Sequence, residues 1–231
     1  MTGMERKSRV MNAQEKITIA YHEAGHALVA HSRRHCDPVK KVSIIPRGVA
    51  ALGYTQQVPT EDRYVLRESE LLDRLDALLG GRVAEELVFG DVSTGAENDL
   101  DRATAMARHM VSRYGMSERI GLATMGESMN PLAVPGLDGW RGSSCSDDTA
   151  RLVDEEIRRM LDDAHARVRA TLSTQRATLE RIARLLLERE VLDHEMLQCA
   201  IDGESKTSEP AEVIRTETHV DAGRDAESCS R

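Results

Sequence analysis

Asn12-Ala-Gln-Glu-Lys-Ile-Thr-Ile-Ala-Tyr-His-Glu-Ala-Gly-His-Ala-Leu-Val-Ala-His-Ser32 reads as one long helix. Asn12 is an N-cap residue, and Glu15 three positions later completes a capping-box-like start. Ile19, His22, His26 and Val29 recur at i, i+3, i+7 and i+10, so they share one face. Two histidines on an apolar face need partners, and a metal ion is the simplest one. His22-Glu-Ala-Gly-His26 is an H-E-x-x-H motif. Imidazoles at i and i+4 stand one turn apart, so both can reach one ion at about 2.0–2.1 Å. Glu23 projects from the neighbouring angular position, where it can take a proton from a metal-polarised water without being a ligand.

Outward from that helix, Lys41-Val-Ser-Ile-Ile45 is β-branched and stopped by Pro46, and Leu52-Gly-Tyr-Thr-Gln-Gln-Val58 is a second strand candidate. A helix is expected from about Glu68 to Phe89. Its Gly80-Gly81 pair is costly in a helix interior and implies close packing or a break. Gly90-Asp-Val-Ser-Thr-Gly95 is a turn, and another helix follows from about Glu97 to Tyr114, ended by Gly115. Residues 121–146 hold several glycines, two prolines and Trp140, and read as a long irregular loop. Helical spacing returns at about Asp147 to Leu172 and Gln175 to Arg189, and Asp193 caps a last short helix reaching Ile201. From Gly203 the chain is polar and aperiodic, the pattern of a disordered tail. The expected division is a lead-in over 1–11, one domain over 12–202 and a tail over 203–231.

The composition narrows the function. A formal net charge of -8 with 3% aromatic residues argues against a nucleic-acid partner, which rewards basic patches and stacking rings. No apolar run approaches the roughly 20 residues that span a bilayer, and the first residues lack the apolar centre of a secretory signal. Cys36, Cys145, Cys199 and Cys229 form no Cys-x-x-Cys pair, so neither a thiolate zinc site nor a dense disulfide framework is indicated. A cytoplasmic location is the expectation.

A catalytic zinc needs a third protein ligand and an open fourth position. No His-x-x-Gly-x-x-His extension follows His26, so the third ligand is expected among distant acids: Glu85, Glu86, Asp91, Asp99 or Asp101. Spacing does not choose among them. Glu85 or Glu86 is also a candidate to orient a zinc histidine, because ligating imidazoles usually donate their other N–H to such a group. His31, His35, His109, His165, His194 and His219 lack comparable pairing and read as surface residues. Ser93-Thr94-Gly95 reads as a helix start rather than a nucleophile site.

The segments Glu5-Arg-Lys-Ser-Arg-Val10, Ala20-Tyr-His-Glu-Ala-Gly-His-Ala-Leu28, Lys41-Val-Ser-Ile-Ile-Pro-Arg-Gly48, Ala51-Leu-Gly-Tyr-Thr55, Leu79-Gly-Gly-Arg-Val-Ala-Glu-Glu-Leu-Val-Phe-Gly90, Val92-Ser-Thr-Gly-Ala-Glu-Asn-Asp-Leu100 and Tyr114-Gly-Met-Ser117 resemble the peptidase domain of FtsH-type AAA proteases. The resemblance covers roughly residues 4–202. It implies a mainly α-helical fold with a small β-sheet. It also implies zinc held by His22, His26 and Asp99, with Glu23 as general base, and cleavage of unfolded or damaged polypeptides. By the same resemblance, substrate pairs as an added strand along Lys41–Ile45 or Leu52–Val58.

Relatives in that family carry an ATPase module and a membrane anchor, and form six-membered rings. No G-x-x-x-x-G-K-[ST] loop occurs in these 231 residues. The expectation is therefore a peptidase that forms a homo-hexamer or associates with ATPase-containing relatives, and that by itself does not unfold stable proteins. Two other readings remain open: a non-catalytic ring-assembly partner, and an ATP-independent peptidase of small peptides.

Overall fold

The computed structural model describes residues 12–46, 53–58, 64–125 and 145–203. The first helix, α1 (Ala13–Ser32), begins as its sequence demands: the Asn12 side chain accepts the Gln14 N–H, and the Glu15 carboxylate accepts the Asn12 N–H. From Ile19 to Ala30 it is buried on nearly all sides, as a central helix must be. It packs against α2 (Glu68–Phe89), α5 (Arg176–Arg189) and a small sheet.

Helix α2 runs unbroken through Gly80 and Gly81, so the glycine pair serves close packing. A Cβ at Gly25 would lie 2.4 Å from the Gly80 carbonyl oxygen, and one at Gly80 would lie 2.8 Å from that of Gly25. The two backbones touch because neither position carries a side chain. Gly90, at φ 67°, ends α2 in the left-handed conformation. A 3-10 turn over Thr94–Ala96 leads into α3 (Glu97–Ser112), which stops two residues short of the expected Tyr114.

Helix α4 (Asp147–Thr174) buries Val153, Ile157, Met160, Ala164, Val168 and Leu172, one face at three- and four-residue spacing. It lies across α2 and α3, and α5 and α6 (His194–Asp202) close the core. Asp193 caps α6 by accepting the Met196 N–H at 2.9 Å, as expected.

The sheet has three antiparallel strands in the order β2-β1-β3: β1 is Val39–Ser43, β2 is Tyr54–Gln57 and β3 is Val191–Asp193. Val42 faces Thr55 on one side and Leu192 on the other. This corrects one expectation. Lys41–Ser43 of that segment is central, paired with β2 on one side and β3 on the other, so among the described residues this part offers no edge to a peptide, whereas β2 is an outer strand. Strand β3 was not expected at all. Of the sequence expectations, the long loop over 121–146 lies outside the described residues for 126–144, as do the lead-in over 1–11 and the tail beyond Gly203. No helix among the described residues is long and apolar enough to cross a membrane.

Candidate metal centre

Three elements deliver the candidate ligands and their support. His22 and His26 point from the buried face of α1, Asp99 comes from the first turn of α3, and α2 backs both histidines. His26 Nε2 lies 3.0 Å from His22 Nε2 and 3.1 Å from Asp99 Oδ2, and His22 Nε2 lies 3.3 Å from the same Asp99 oxygen. Among the described residues this is the one group of three metal-capable side chains with converging donor atoms. Glu86, Asp91 and Asp101 take no part in it.

The outer ring atoms fix the tautomers. His26 Nδ1 is 2.8 Å from the Ala77 carbonyl, which can only accept, so Nδ1 carries the proton. His22 Nδ1 donates to Glu85 Oε1 at 2.6 Å. Both Nε2 atoms therefore face each other and a carboxylate oxygen across about one hydrogen-bond length. Such a cluster needs positive charge between its members, whether a proton or a metal ion. Donor atoms about 2.0–2.1 Å from a tetrahedral zinc stand roughly 3.3 Å from each other, which is close to the spacings found here. Two imidazoles and one carboxylate form a donor set that suits zinc and leaves a fourth position open.

The electrostatics point the same way. Burial opposes charge on His22, but the hydrogen bonds to Asp99 and Glu85 and the charge of Glu23 push its imidazole up to about 9. Burial likewise works against the Asp99 carboxylate, which the His22 and His26 imidazoles hold well below the usual range. Glu85 is 1% exposed, and burial raises its proton affinity. The bond from His22 and the Ser93 N–H, 2.7 Å from Oε2, outweigh burial and lower it. The pocket asks for positive charge, and the described residues bring no lysine or arginine to it.

Glu85 does more than orient one ring. Its second oxygen holds the Ser93 N–H, and Ser93 caps the turn that leads to Asp99. One carboxylate thereby ties the α1 ligands to the segment that carries the third. Glu86 faces away, accepting His165 Nε2 at 2.8 Å and Arg169 Nη1. Ser93 is a helix-start residue, as expected. His31, His109 and His194 are exposed, while His35 and His165 are half-buried and paired with Asp73 and Glu86.

Glu23 is 6% exposed. Its Oε2 accepts the Thr55 hydroxyl at 2.7 Å, and a Cβ at Gly53 would lie 2.6 Å from its Oε1. Gly81 is needed because a Cβ there would lie 2.5 Å from His22 Nε2. Thr55 and Ala77 escaped sequence reasoning, while Gly81 was marked for close packing without its partner His22. A carbonyl leaves no trace in side-chain pattern, and a threonine in a short strand reads as ordinary β-propensity.

A helical H-E-x-x-H pair joined by a distant carboxylate defines the metallopeptidase class of site. The model of peptidase family M41 matches residues 9–199, and the chain belongs to that family. It is 69% identical to the ATP-dependent zinc metalloprotease FtsH of Burkholderia pseudomallei over 91% of its own length and 31% of that protein. It is 56% identical to the protein of the same name from Ralstonia pickettii, over 92% of this chain and 30% of that one. The relative of that name from Syntrophobacter fumaroxidans is 57% identical, over 85% and 30%. The chain thus spans about a third of the length of these relatives.

Proposed function

We propose that this chain is a zinc metalloendopeptidase domain, over residues 12–202, that hydrolyses peptide bonds in unfolded or damaged polypeptides. The observation that carries the reading is the convergence of His22 Nε2, His26 Nε2 and Asp99 Oδ2 on one point, with the Glu23 carboxylate on the same helix beside them. His22, His26 and Asp99 would hold the zinc. When bound, zinc supplies Lewis-acid polarisation and lowers the pKa of water towards about 7.

The chain's own residues do the rest. Glu85 and the Ala77 carbonyl accept from the Nδ1 side of the two rings and so turn both Nε2 atoms inward. Glu23 accepts the proton of the attacking water and returns it to the leaving amine, as a general base that becomes a general acid. The outer edge of β2 is the docking place for an extended stretch of substrate, which requires a polypeptide unfolded at the cleavage point. The physiological partners on this reading are unfolded polypeptides and a ring, formed as a homo-hexamer or with ATPase-containing relatives.

The test is metal content together with cleavage. The purified chain should hold about one zinc, as a three-ligand site requires, and should cleave an unstructured peptide. Chelation should abolish cleavage and zinc should restore it. A chain that holds no zinc, or that cleaves equally well after chelation, overturns the reading.

A further inference from the structure

We infer that Thr55 is a positioning residue for Glu23, holding the general base in its working orientation from the strand beside it. The inference rests on the proposed peptidase reading. Thr55 lies in β2, where pairing with the fully buried Val42 sets its place. Its hydroxyl lies 2.7 Å from Glu23 Oε2 and has one proton to give. Among the described residues it is the only hydrogen-bond donor to that carboxylate. The distance is that of a well-formed O–H···O bond. The other oxygen and the Glu23 stem lie against Gly53 and beside Ile19, where a Cβ at Gly53 would meet Oε1 at 2.6 Å and Cγ at 2.9 Å. One oxygen is thus bound by the hydroxyl, and the bare α-carbon of Gly53 leaves room for the other.

The consequence is orientation. A glutamate side chain has three rotatable bonds, and a base that works on a bound water must present one lone pair in a fixed direction. Helix α1 fixes only where the side chain begins. The Thr55 hydroxyl fixes where it ends. Because β2 is also an outer strand of the sheet among the described residues, the same strand would hold both the substrate and the base.

The bland alternative is that the hydroxyl only satisfies a buried acceptor and ties β2 to α1. That role would change stability without selecting kcat. Steady-state kinetics of the zinc-loaded chain on an unstructured fluorogenic peptide separates the two. Thr55→Val should keep its zinc and leave KM nearly unchanged, while kcat falls about 10- to 100-fold. Thr55→Ser should recover most of the loss. Thr55→Ala removes the hydroxyl without adding a methyl group and should match Thr55→Val, which guards against a packing fault specific to the valine side chain. A crystal structure of Thr55→Val should show the Glu23 carboxylate moved from β2. Wild-type kcat in the valine variant, equal loss in valine and serine variants, or an unmoved Glu23 would overturn the inference while leaving the peptidase reading intact. A wild-type chain that binds zinc yet cleaves nothing overturns that reading, and the inference with it.

Discussion

Asp76 and Glu85 stand on the same helix and are equally buried, at 1% exposure each, yet they are balanced in opposite ways. Asp76 is gripped by two guanidinium groups: Arg33 Nε at 2.8 Å, and Arg167 Nη2 and Nε at 2.7 and 3.1 Å. Glu156 on α4 is held similarly by Arg159, with Ser117 and Arg119. Glu85 has a histidine ring and Ser93, through its N–H and its side chain, and no guanidinium group among the described residues. Arginine is charged at every accessible pH, so the Asp76 and Glu156 clusters are neutralised within the fold. Histidine carries charge only conditionally. The carboxylates around His22 and His26 are therefore left short of a permanent cation. The first arrangement knits helices together, and the second makes a place for an ion.

If that contrast is right, changes on the imidazole side should act on chemistry and metal, and changes on the guanidinium side on stability. The largest separation is expected from Glu23→Gln. It should retain zinc and fold normally but lose about 10²–10⁴ in turnover, since an amide cannot take the water's proton. Normal cleavage by this variant would break the chemical half of the contrast. Asp99→Ala should lose both zinc and activity, and elemental analysis showing wild-type zinc would remove Asp99 from the ligand set.

Asp76→Ala comes next and should do the reverse. It leaves Arg33, whose side chain is 16% exposed, without its carboxylate. Stability should fall by about 2–4 kcal/mol in denaturant titration, with zinc affinity unchanged. A loss of zinc affinity without loss of stability would merge the two regions. Glu85→Gln should weaken zinc about 10- to 100-fold in a competition titration. The amide can still accept from His22, but its NH2 meets the Ser93 N–H donor to donor.

The smallest effect sharpens the guanidinium side. Glu156 is drawn from its ordinary 4.5 down to about 2, chiefly by Arg159 and then by Ser117 and Arg119, against desolvation. A depressed carboxylate contributes stability that is fully present above its unfolded value and lost as pH falls through the folded one. The loss should therefore develop from about 4.5 down to about 2. Both guanidinium partners are half-exposed, so solvent screening limits the contribution to about 1 kcal/mol. Unfolding free energies of wild type and Glu156→Gln should differ above this window and converge through it. Parallel pH curves would show that the cluster does not depend on the charge of Glu156.

Most helices were legible because their signals are local. The Asn12 cap, the Gly90 stop and the Asp193 cap each act within a few residues. Strand β3 was not legible. Val191–Asp193 is too short to show a period, and its partner β1 lies at the other end of the sequence. The centrality of β1 was missed for the same reason, because the third strand decides which strand is the edge.

The metal centre divides in the same way. One helical turn separates i from i+4, so His22 and His26 were bound to share a face once the helix was recognised, and Glu23 to stand beside them. Spacing left the third ligand open among five acids, and only resemblance named Asp99. The tertiary structure brings that carboxylate to the two imidazoles and gives Glu85, not Glu86, to His22, because the Gly25–Gly80 contact sets how α2 lies against α1. It also sets Thr55 against Glu23. Periodicity along one chain fixes which residues share a face, but which faces meet depends on packing between segments far apart in sequence.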